Sequence, residues 1–124
     1  MTARPFLASG AAAGLLAVGL GAFGAHALAS RLAGRPGELW HTAEWYQFVH
    51  ALALLAVGLL WQRLPHDTLA ASGWLFLGGI VLFCGSLYAL ALGAPRATGW
   101  ITPVGGVALI AGWGTLLAAA IRAG

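Results

Sequence analysis

A chain of 124 residues with 60% hydrophobic and only 7% charged side chains cannot coat a water-soluble domain, which carries roughly a quarter charged residues. Its net charge of +3 comes from six arginines set against Glu38, Glu44 and Asp67. The basic balance therefore reflects a shortage of acids, and with no cluster of Lys or Arg on one face, nucleic-acid binding is excluded. The single cysteine, Cys84, excludes an internal disulfide, and no His-x-x-x-His pair or glycine-rich phosphate loop occurs.

Four runs are long and apolar enough to cross a hydrocarbon layer, which takes about 20 residues. They cover about 6–30, 42–62, 69–94 and 102–121, and the connections "RLAGRPGELWH", "RLPHDT" and "GAPRATGW" hold the turn formers and nearly all the charge. Lipid offers no hydrogen bonds to an open backbone, so these spans are helices. Short connections make neighbours antiparallel. The expected fold is an all-α membrane protein, a single-domain up-down four-transmembrane-helix bundle over 1–124. The first run also carries Arg4 before its apolar stretch and "AHALA" near its end, which resembles a secretory signal. Its length favours an uncleaved first helix. Three arginines fall on each side of the membrane, so charge gives no direct orientation. The closeness of Arg31 and Arg35 to Glu38 and Glu44 tips the reading toward both termini inside.

The 19 glycines are spaced for packing. Gly10, Gly14, Ala17, Gly21 and Ala25 form a stripe on the first span. Gly79, Ser86 and Gly93 recur at heptad spacing on the third, and Gly105, Ala108 and Gly112 follow on the fourth. Small residues let helices approach closely in lipid. These stripes serve tight packing within the bundle or docking onto a partner. "TPVGG" opens the last span, with Thr102 as expected cap and Pro103 at the first helical position.

Polar residues inside the spans are few. His26 lies near the end of the first helix, while Thr42, Tyr46 and His50 share a face of the second, with Gln47 and Glu44 beside them. Cys84, Ser86 and Tyr88 lie late in the third span and Thr102 begins the fourth. Alternating directions put all of these in one half of the membrane, where His26 and His50, at similar expected depth, can meet. Such groups usually face the bundle interior and pair with one another. Trp40, Trp45, Tyr46, Tyr88 and Trp100 also fit an interfacial aromatic belt.

Two histidines on facing helices allow haem or copper ligation. A Tyr/His pocket also suits a quinone, a lipid headgroup or a proton relay. No acidic pair or His-Glu motif supports metal-dependent hydrolysis, and no catalytic set or dedicated metal site is expected.

"GAFGAHAL", "YQFVHALALL", "FCGSLYALAL" and "TPVGG…AGW", in that order along nearly the whole chain, resemble the signatures of domain-of-unknown-function family 423. That family takes in YgdD-like bacterial inner-membrane proteins and the eukaryotic transmembrane protein 256. The resemblance implies a multi-pass bacterial inner-membrane protein with four spans and no established activity. Carried over by position, the family-like polar residues are His26, Tyr46, Gln47, His50, Ser86, Tyr88, Thr102 and Pro103. Cys84 stands where serine is equally expected, which puts a thiol role in doubt. The sequence thus points to a non-enzymatic accessory or assembly partner of a membrane complex, or a small homo-oligomer, its cofactor unknown. The alternatives are a bundle that binds haem, copper, quinone or lipid, and a small-solute or proton permeation protein.

Overall fold

A computed structural model describes residues 2–64 and 66–123. Four helices are long and apolar enough to span a membrane. They are α1 (Arg4–His26), α2 (Arg35–Trp61), α3 (Asp67–Ala91) and α4 (Ile101–Ala123), the last entered through a 3₁₀ turn at Arg96–Trp100. Each helix packs on its neighbours in the chain, and α2 and α3 form the more buried central pair. α1 lies against α2, and α4 against α3. The outer surface is apolar, with Leu15, Leu16 and Val18 of α1 and Val104, Val107 and Ile110 of α4 exposed. In lipid that is where such side chains belong.

α2 begins about two turns earlier than the apolar pattern indicates. Gly34 adopts φ 73°, ψ −133°, a conformation open to glycine, and turns the chain into the helix. Pro36 then sits in the first turn, where its missing N–H would have no partner. Gly37 passes so close to the Leu32 carbonyl that a β-carbon there would collide with it. The stretch "RPGELWH" is therefore helix and not loop. Its polarity hid it, because a helix that rises past the hydrocarbon has no reason to stay apolar.

Glycines set the register. Gly10 of α1 lies against Ala51 and Leu55 of α2, Gly21 against Glu44, and Gly24 against the Trp40 indole. The α1 stripe is thus largely taken up inside the molecule. Phe6, fully buried, sits in the space left by Gly73 and meets Trp61 and Trp74 edge-on, tying the start of α1 to the end of α2 and the start of α3. Gly79 makes room for Leu109, and Gly112 for Phe76.

α3 carries a π-helical segment at Ile80–Cys84. Such segments insert a wider turn into an α-helix. Here the widened turn faces Gly105 of α4, where an added β-carbon would strike the Phe83 backbone. Gly93, expected to extend the α3 stripe, instead lies past the helix end at φ 99° and closes the turn that follows.

Candidate functional site

The buried polar side chains form a series of hydrogen bonds that join the helices in pairs. Gln47, buried in α2, donates from Nε2 to the Ala13 carbonyl of α1 at 2.9 Å. Its Oε1 accepts from the Tyr88 hydroxyl of α3 at 2.7 Å. One amide thus binds three helices. Trp40 donates to the Leu20 carbonyl at 3.1 Å and packs edge-on against Tyr88 with centroids 4.7 Å apart.

His50 makes the link to α4. Trp113 donates its indole N–H to Nε2 at 3.0 Å, and Nδ1 lies 2.6 Å from the Tyr46 carbonyl one turn back. Indole can only donate, so Nε2 must accept and Nδ1 must carry the proton, a neutral tautomer assigned from the network. Both ring nitrogens are engaged. Aromatic rings close round the imidazole: Tyr46 stacks on it at 5.9 Å, with Phe76 at 5.6 Å and Trp113 at 5.8 Å.

α3 and α4 are joined twice. Ser72 donates to the Gly112 carbonyl at 2.9 Å. Ser86 and Thr102 share a bond of 2.5 Å, while Ser86 also donates to Phe83 within its own helix. Thr102 lies inside the first turn of α4 rather than ahead of it, so its hydroxyl crosses to α3 instead of capping. Pro103 occupies that same first turn.

The structure brings together Gln47 with Tyr88, and Ser86 with Thr102, and places His50 and Tyr46 side by side. It does not bring His26 to them. With Gly24 against Trp40 and Gly10 against Ala51, His26 at the exposed end of α1 stands level with the residues just before Trp40. His50 lies roughly eleven residues further along α2, about 16 Å at ~1.5 Å per residue. The early start of α2 is the reason. It sets His50 near the middle of every span instead of near one end. Thr42 shares the helical face but is exposed and bonds only to the Glu38 carbonyl. Tyr46 is 39% exposed, and its phenol makes no hydrogen bond among the described residues.

Sequence reasoning missed Trp113 and misplaced Trp40, which is only 2% exposed and so is no belt residue. Trp113 is the sole aromatic of α4, between two glycines, and that isolation was the available signal. Among the described residues no buried side-chain nitrogen or oxygen lacks a hydrogen-bond partner. Nor do three His, Cys, Asp or Glu side chains converge among them.

These features define a small four-span integral membrane protein whose polar interior joins helix to helix. Residues 20–106 match the model of the family described as "Protein of unknown function (DUF423)", and the chain belongs to that family. It is 44% identical over 120 residues to the UPF0382 membrane protein YwdK of Bacillus subtilis, covering 96% of this chain and 98% of that one. It is 41% identical over 122 residues to the UPF0382 inner membrane protein YgdD of Escherichia coli K12, covering 98% and 93%. No solved structure matches the chain. With four candidate spans and a relative named as an inner membrane protein, it is a multi-pass protein of the inner membrane, and neither of these relatives carries an enzymatic name.

Proposed function

We propose that this protein is a non-enzymatic accessory unit of the inner membrane, which assembles with a partner membrane protein or with a second copy of itself. One observation carries the reading: the buried polar side chains of the described residues all find partners within the chain. An interior built this way rigidifies a unit and leaves no idle donor or acceptor to hold a substrate. α1 supplies a surface for assembly. One side of it packs on α2, while Ala8, Ala12, Gly19 and Ala22 stay uncovered and a β-carbon at Gly19 would meet nothing within 4 Å. Small residues on an uncovered helix face suit close approach by another helix. A haem or copper reading would require His50 to release Trp113 or the Tyr46 carbonyl first.

Gentle solubilisation followed by native mass spectrometry tests the proposal. The expected species is a dimer or a stoichiometric complex that Gly19→Leu disrupts while the helices remain folded. A lone monomer, unchanged by that substitution, overturns it.

A further inference from the structure

Leu116, Ala119, Ala120 and Ala123 fall on one face of α4, at i, i+3, i+4 and i+7. α4 packs on α3, and the short alanine side chains leave a groove of about 380 Å³ between its last turns, the end of α2 and the start of α3. Leu60, Leu64 and Leu69 form the opposite wall. The polar side chains of the lining, His66 and Arg122, both stand at its outer end.

Depth sets what can enter. Arg122 lies roughly ten residues past the middle of α4, about 15 Å at ~1.5 Å per residue, which is the edge of a hydrocarbon core about 30 Å thick. Its guanidinium donates to the Thr68 hydroxyl at 3.0 Å. Thr68, counted from the middle of α3, stands at about 16 Å, so two helices place this contact at the same boundary. Leu116 lies about 6 Å from the mid-plane by the same rise and marks the deep end.

The outer end offers donors. Arg122 carries five N–H groups, and among the described residues its hydrogen-bond partner is the neutral Thr68 hydroxyl. The ion pairs of those residues, Arg35–Glu38 and His41–Glu44, lie toward the other face of the membrane. Thr68 also donates its backbone N–H to Nδ1 of His66 at 3.1 Å, so the neutral ring carries its proton on Nε2 as a further donor. One residue thus holds both groups in place. Arg63, exposed just past α2, adds positive charge on this side. Asp67 lies in the first turn of α3, where the helix N-terminus favours its charge without a cation.

An occupant must therefore place an anion at the hydrocarbon boundary and an apolar chain inward from it, in that covalent order. A phospholipid has this order, since its phosphate stands outside its acyl chains. An ammonium beyond the phosphate would face Arg63 and Arg122, which disfavours zwitterionic headgroups. A second copy of the chain suits the groove poorly, because Glu38 and Glu44 lie toward the other face and leave it Asp67 alone to offer. We infer that the groove binds one anionic phospholipid of the glycerol-headgroup class. Its phosphate accepts from Arg122 and His66, and one acyl chain lies along Leu116, Ala119 and Ala120. Basic pockets between spans hold anionic headgroups in this way.

The test uses the purified full chain in native mass spectrometry, with phosphatidylglycerol and phosphatidylcholine of identical acyl chains offered in equal amounts. One lipid per chain should be retained, the glycerol headgroup favoured by about fivefold or more, as one arginine contributes near an anionic surface. Arg122→Gln should remove most of that preference. Arg4→Gln, at an exposed arginine on the same side but outside the groove, should leave it intact. Ala120→Phe, which fills the groove, should lower retention of both lipids. Equal retention of the two lipids by the natural protein, or none, overturns the proposal. So does an equal loss from Arg122→Gln and Arg4→Gln, which would mean general surface attraction. A lipid-free dimer that Ala120→Phe breaks also overturns it, because a second copy would then be the occupant. If Ala120→Phe does not fold, the headgroup preference and the two arginine variants decide.

Discussion

The Trp113 indole donates to Nε2 of His50 at 3.0 Å, and this bond between α4 and α2 sets the protonation pattern of a histidine at the centre of the membrane. Because the imidazole also meets the Tyr46 carbonyl, its neutral form has one arrangement that satisfies both contacts. We expect ¹⁵N NMR of the protein in lipid to show a protonated Nδ1 and an unprotonated Nε2. In Trp113→Phe the Nε2 signal should shift while Nδ1 stays protonated. A dominant Nε2–H tautomer in the natural protein would show that the indole is not the partner.

The same bond predicts a coupling energy. Hydrogen bonds between membrane helices contribute about 0.6 kcal/mol on average and up to about 1.7. His50→Leu and Trp113→Phe should each lower stability within roughly that range, and the double variant should lose less than the sum of the two. Unfolding curves in mixed micelles of increasing SDS fraction give the three values. Additivity would mean that the pair does not interact.

Gln47 joins three helices through one amide, so its variants should separate by mechanism. Tyr88→Phe removes one donor and is expected to cost about 0.5–1.7 kcal/mol. Gln47→Leu removes both of the amide's contacts and leaves the Tyr88 hydroxyl without its acceptor, and should cost more. Gln47→Glu keeps both contacts only as the protonated acid, whose O–H donates to the Ala13 carbonyl, so it should cost less than Gln47→Leu when protonated and more once ionised. The same SDS titration ranks them, and an order with Tyr88→Phe at the top would contradict the bonding described for Gln47.

Glycine positions divide into two groups with opposite expectations. A β-carbon at Gly105 would strike the Phe83 backbone, which belongs to the π segment of α3 and cannot swing aside as a side-chain tip can. Gly105→Ala should therefore destabilise by about 1–3 kcal/mol, the range of overpacked cores. At Gly78, Gly85 and Gly114 an added methyl meets nothing within 4 Å. Alanine there should be neutral or stabilising by up to about 1 kcal/mol, through helix propensity alone. Equal effects at Gly105 and Gly114 would mean that α4 does not approach α3 this closely.

Four spans, their antiparallel order and the packing role of the small residues were legible, because apolar length and i, i+4 spacing are written locally. What escaped the sequence depended on relations between helices. The start of α2 at Arg35 follows from Gly34 and Pro36 acting together, whereas hydropathy registers only the apolar part of a helix. That two-turn error put His50 at the depth of His26, and the pairing inferred between them followed from it. Trp113 was out of reach for another reason: its partner is set by the register of α4 on α3, and the π segment alters that register with no mark in composition. Gly21 stands in the small-residue seam read from spacing, and Gly24 lies about one turn further along α1. In the structure they serve different neighbours, a carboxylate and an indole, which spacing alone does not distinguish.

Cys84 offers a check on the rigidity of this interior. It is the single cysteine of the chain and only 1% exposed, at the end of the π segment. A reagent reaches such a thiol only when α3 opens from its neighbours, so labelling by a small maleimide should be slow in the folded protein and complete on unfolding. Gly105→Ala, which pushes α4 away from that segment, should label faster, whereas Gly114→Ala should label at the natural rate. Mass spectrometry of timed samples reads the rates directly. Rapid labelling of the natural protein under folded conditions would mean that the α3–α4 contact opens readily, and the rigid unit inferred from its hydrogen bonds would not stand.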